Sequence, residues 1–108
     1  MSKQVSEQVK KGHTEKGAME KTWGSWNRIV QENKEIARER NGKYSYRNIE
    51  ITGIEGIAVR LLDKAMRLHT LSKMERTADI VESIRDTLKD TSNYGIIGEL
   101  ELDGIWGW

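Results

Sequence analysis

The sequence predicts an all-α fold: a small helical domain of three main helices, assembled as a homo-oligomeric bundle. Three observations carry that expectation. Apolar residues recur at three- and four-residue intervals in three separate segments. No alternation of apolar and polar residues lasts long enough to build a sheet. The hydrophobic share is 36%, below the usual ~45–50% of globular chains, a figure that also counts glycine, and a second subunit would add apolar surface to bury.

The chain divides by composition into a flexible polar arm, residues 1–17, and a single domain, residues 18–108, ending in an aromatic tail. The arm carries two glycines and two valines, too little apolar surface to offset the entropy of ordering it. From Ala18 to Arg40, the residues Trp23, Trp26, Val30, Asn33 and Ala37 share one helix face, with Glu, Lys, Gln and Arg between them. Asn41-Gly42 reads as the stop of this first helix, because both residues tolerate the left-handed conformation in which helices end. A loop through Tyr44, Tyr46 and Asn48 is expected next.

The segment ITGIEGIAVRLLDKAMRLHTL places Ile54, Ile57, Ala58, Leu61, Ala65 and Leu68 on one stripe and predicts a second helix. Gly53 and Gly56 lack the context of a phosphate-binding Walker loop and read as points of close approach by a neighbouring helix or loop. A third helix starts between Ser72 and Ala78, with Ser72/Glu75 and Thr77 as competing caps. Its expected stripe is Ile80, Val81, Ile84, Leu88 and Gly95, and the last ten residues, ELELDGIWGW, read equally as a strand-like tail or a frayed helical extension.

The charge count, 18 Lys plus Arg against 17 Asp plus Glu, excludes a polybasic binder of long nucleic acid or of membranes. No apolar run spans a membrane, the N-terminus lacks a signal-peptide centre, and no cysteine is present; a cytoplasmic protein is expected. Only His13 and His69 offer imidazole, without the spacing of a metal pair or a hydrolase triad.

The charges segregate by helix. Arg60, Asp63, Lys64 and Arg67 follow at i, i+3, i+4 and i+7, and their two guanidiniums and one ammonium suit phosphate oxygens. Glu82, Asp86, Asp90 and Asn93 form a row on the third helix, placed opposite its apolar stripe. Such a row of like charges needs cations or a metal nearby, and its hard oxygens suit magnesium. The plain alternative pairs these acids with the cations of helix two, and both readings need the two helices adjacent and antiparallel. Glu32 and Glu35 offer a further acidic face on helix one, interleaved with Lys34, Arg38 and Arg40 in the manner of a surface helix. Trp23 and Trp26 read as core, and Trp106 and Trp108 as a subunit contact.

The stretch from Gly53 to Tyr94 resembles the phage and bacterial nucleotide-modification-associated domain family, type one. The likeness rests on a Gly-x-x-Gly opening, then R-x-x-D-K-x-x-R-L, then E-S-x-x-D-T-x-x-D-x-x-N-Y. It implies that Arg60, Asp63, Lys64, Arg67, Glu82, Asp86, Asp90 and Asn93 are the shared polar positions. The acidic helices also look like those of the all-α nucleoside triphosphate pyrophosphatases, though the carboxylate spacings differ. Where the first family carries N-x-D-Y, this chain reads Asn41-Gly42-Lys43-Tyr44, a cation in place of an acid.

Two functions follow as expectations. The first is a phage-type small protein of the bacterial host cytoplasm that binds a phosphorylated nucleotide without a cofactor, sequestering a cyclic or oligonucleotide signal of host antiviral defence. Its ligand residues are Lys43, Tyr44, Arg60, Asp63, Lys64, Arg67, Asp86, Asp90 and Asn93. The second is a magnesium-dependent nucleotide pyrophosphohydrolase with Glu32, Glu35, Asp86 and Asp90 on the metal. A non-catalytic helical oligomer is the third and plainest option.

Overall fold

The computed structural model describes residues 15–43 and 47–106. The protein is all-α: helix α1 spans Glu15–Lys43, α2 spans Arg47–Ser72 and α3 spans Ala78–Leu102, with no strand among the described residues. No described helix is long and apolar enough to cross a membrane. The chain forms two compact units, Met1–Glu32 and Asn33–Trp108. The described part of the first unit is the N-terminal stretch of α1. The rest of α1, with α2 and α3, forms the second.

Helix α1 starts at Glu15, inside the segment expected to be arm, and continues through Asn41-Gly42 to Lys43. Asparagine and glycine permit a left-handed helix end without imposing one, and no proline follows to force a stop. Tyr44 and Tyr46, the expected loop tyrosines, lie outside the described residues. Asn48, expected in the same loop, belongs to the first turn of α2.

Gly53 breaks α2 after six residues, with φ 61° and ψ −151°, a backbone region essentially reserved for glycine. It is a kink, and no neighbour approaches the place its Cβ would occupy. Gly56 is required for a different reason, since a Cβ there would collide with the Thr52 side chain. The Thr52 hydroxyl donates to the Asn48 carbonyl at 2.7 Å. The kink folds the short first segment so that Ile49 is buried.

The second helix ends with the Ser72 hydroxyl donating to the His69 carbonyl at 2.7 Å. Thr77 is the N-cap of α3, its hydroxyl oxygen accepting from the Ile80 amide at 3.3 Å. The third helix runs through Gly98 to Leu102, so the first four residues of the expected tail are helical. Gly104, at φ 70°, lets the chain turn off the helix end, while the Ile105 amide donates to the Leu100 carbonyl at 3.0 Å.

Helices α2 and α3 pack antiparallel, as their contacts show: Arg60 meets Tyr94 and Lys64 meets Asp90. A Cβ on Gly98 would stand 3.5 Å from Ile57. The interior keeps part of the expected apolar stripes, with Ile57 buried and Leu61, Leu68, Ile80 and Ile84 half-buried, and departs from the rest. Its buried apolar side chains are Ile49, Ile57 and Leu71, and beside them Asn33, Thr87 and Asn93 are buried too. Ile54, Ala58 and Ala65 of the α2 stripe are exposed, as are Val81, Leu88 and Gly95 of α3. The buried line on α3 instead contains hydroxyls that satisfy themselves locally. Thr87 donates to the Ser83 carbonyl and Thr91 to that of Thr87, each at 2.7 Å. Trp23 and Trp26, expected in the core, are exposed.

Candidate functional site

A pocket of about 280 Å³ opens in the second unit. Arg40 and Asn41 of α1, Asn48 and Arg60 of α2, Asp90, Asn93 and Tyr94 of α3, and Trp106 beyond it supply its polar and aromatic groups. Apolar floor comes from Ala37, Ile49 and Ile97.

Its electrostatics turn on Asp90. One carboxylate oxygen is hydrogen-bonded by Arg40 and the other by Lys64 Nζ at 3.0 Å, and the side chain is only 15% exposed. Burial pushes the Asp90 carboxyl up, but the hydrogen bonds from Arg40 and Lys64 outweigh it and hold the group below the ordinary carboxylate value. The same pairing, through the hydrogen bond to Asp90, raises the Arg40 guanidinium further above its already high value.

Arg60 is placed differently. Half-buried, it has no carboxylate partner among the described residues. Its guanidinium carbon stands 5.9 Å from the centre of the Tyr94 ring, and its Nη1 lies 3.4 Å from the Thr52 hydroxyl oxygen. A cation resting on an aromatic face keeps most of its hydrogen-bonding capacity. The lining residue Asn93 donates through Nδ2 to the Asn33 carbonyl at 3.0 Å, and Lys89 Nζ donates to Asn33 Oδ1 at 3.2 Å. Trp106 Nε1 is buried without an acceptor among the described residues.

The expected site residues therefore separate. Arg60, Asp90 and Asn93 line the pocket, and Lys64 reaches it only through Asp90. The four-residue face expected on α2 is split, because Arg60 and Lys64 turn toward α3 while Asp63 and Arg67 are exposed. The α3 row divides in the same way: Glu82 and Asp86 are exposed, whereas Asp90 and Asn93 face inward rather than opposite the packed side. Lys43 ends α1 and Tyr44 follows it; the side chain of the first and the whole of the second lie outside the description. Glu32 accepts from Arg28 one turn back at 2.8 Å in the first unit, and Glu35 is exposed on the second. Among the described residues no three carboxylates or imidazoles come together as a metal-binding set.

Arg40, Tyr94 and Trp106 complete the pocket without having been singled out as its walls. For Arg40 a signal exists in the sequence. It stands three residues after Ala37 and so extends the line Val30, Asn33, Ala37 by one turn. Tyr94 likewise follows Asp90 by one turn. No family model, curated protein or solved structure matches the chain.

Proposed function

We propose that this chain binds a small phosphorylated nucleotide in the pocket between Arg40, Arg60, Tyr94 and Trp106 and holds it without turning it over. The observation that carries the reading is Arg60: a half-buried guanidinium on the pocket wall with no carboxylate among the described residues to neutralise it. Such a group favours an anion, and the guanidinium fork matches phosphate oxygens in pairs. Tyr94 and Trp106 bring aromatic surface for a base to the same pocket, and the asparagines bring directional polar groups.

The volume, about 280 Å³, stands at the lower limit of ligand pockets, roughly 300–1,000 Å³. That supports recognition of one nucleotide unit, free or within a cyclic or short oligonucleotide signal, in preference to a long strand. Sequestration of such a signal in a phage-infected cell is the role that fits binding without conversion. The hydrolytic alternative gains no support from the described side chains. Asp90 is engaged by two cations, Asp86 is exposed, and the four acids assigned to magnesium do not form a group.

Calorimetry with a panel of nucleoside mono- and triphosphates and cyclic dinucleotides, followed by chromatography of the released ligand, tests this. The expected result is saturable binding of at least one member, recovered chemically unchanged. Recovery of a cleaved product overturns the reading, as does a panel without any binding.

A further inference from the structure

The first unit carries an apolar line with nothing laid against it among the described residues. Met19, Trp23, Trp26 and Val30 follow one another at intervals of four, three and four residues, the spacing of a helix seam. They are 51, 55, 59 and 46% exposed, and Ile29 beside them is 38% exposed. The two indoles meet edge to face, with ring centres 5.5 Å apart and planes at 60°.

We propose that this seam is a self-association surface on which a second copy of the chain lays its own residues 19–30 in the antiparallel sense. The four-three-four spacing reads the same in both directions, so one patch complements itself about a two-fold axis, as an isologous dimer requires. The axis passes between Gly24 and Ser25. Met19 then meets Val30 of the partner subunit, and Trp23 meets Trp26 of the partner subunit, gathering four indoles around the two-fold axis. Charge selects the direction. In a parallel pair the heptad places Glu15 beside Glu20 of the partner subunit, a like-charge contact, whereas the antiparallel pair sets Glu20 beside Asn27 of the partner subunit. The area is sufficient: the exposed seam side chains amount to roughly 500 Å² per copy and about 1,000 Å² in a pair, the threshold of a specific interface. The inference is independent of the nucleotide reading, because its residues belong to the first unit and the pocket to the second.

The chain has no cysteine, so introduced thiols report cleanly. Sedimentation of the full-length wild-type protein at tens of micromolar is expected to show a dimer or an assembly of even copy number, and Trp26→Glu should raise the dissociation constant at least tenfold. Under mild oxidation, a mixture of Met19→Cys and Val30→Cys proteins should give mixed covalent dimers. Each variant alone should stay uncrosslinked, since like positions then stand about 16 Å apart along the helix axis at 1.5 Å per residue. The mixture carries this test even where a doubly substituted chain fails to fold. A monomeric wild type overturns the proposal, and so does crosslinking of Met19→Cys with itself, which requires the parallel arrangement.

Discussion

Asn93 and Asn33 join α3 to α1 across 60 residues of sequence, the side-chain amide of the first donating to the main-chain oxygen of the second at 3.0 Å. Both residues are buried, so this bond fixes how the C-terminal part of α1 lies on the helical pair. Asn93→Ala loses it and opens a small void, which should lower stability by about 1–2 kcal/mol. Chemical denaturation of the two proteins checks this. Asn93→Asp should be worse, because an acid placed against a carbonyl oxygen must be buried either unpaired or protonated.

The Asp90 pairing makes stability depend on pH. Its folded pKa lies below the ordinary value, with burial opposing and the hydrogen bonds from Arg40 and Lys64 prevailing. The unfolded chain therefore takes up the proton first as pH falls. The contribution is complete above the unfolded carboxylate value, about 3.9, and is lost as pH falls from there through the lowered folded value. Thermal melts of wild type and Asp90→Asn should differ most near neutrality and converge in acid. A gap that stays constant between pH 7 and pH 3 contradicts this assignment.

Gly53 holds the kink that seats Ile49. Alanine there must either adopt a strained backbone, at a cost of about 1–3 kcal/mol, or straighten α2 and withdraw Ile49 from the interior. Both routes lower the melting temperature of Gly53→Ala. Circular dichroism separates them, because only the straightened helix keeps or gains helical signal.

The three helices are legible in the sequence because three- and four-residue spacing needs only local information, and Thr77 is legible as a cap for the same reason. The inward line through buried Asn33 and half-buried Ala37 was visible too, with an asparagine at a seam position, where a polar residue fixes register. The inward faces of α2 and α3 were visible only in part, through Ile57, Leu61, Leu68, Ile80 and Ile84. Long side chains such as Arg60 and Lys64 bury their stems while keeping their heads polar, so a charge pattern does not mark a face as solvated. Thr87 and Asn93 escape an apolar count altogether, since their burial depends on hydrogen bonds that the sequence does not display. The exposure of Trp23 and Trp26 contradicts an expectation that treats every aromatic stripe as the interior of its own chain; the line between Trp26 and Asn33 passes from an open seam to a buried one along a single helix.

Arg60 gives the most direct test of the ligand reading. Titration of the nucleotide panel into wild type and Arg60→Gln, with melting curves to confirm that both fold, should show at least a tenfold loss of affinity in the variant, in line with a lost charge-assisted bond of about 1.5–3 kcal/mol. The bound nucleotide should be recovered intact from both. Equal affinity in a folded Arg60→Gln protein would contradict the assignment of this pocket.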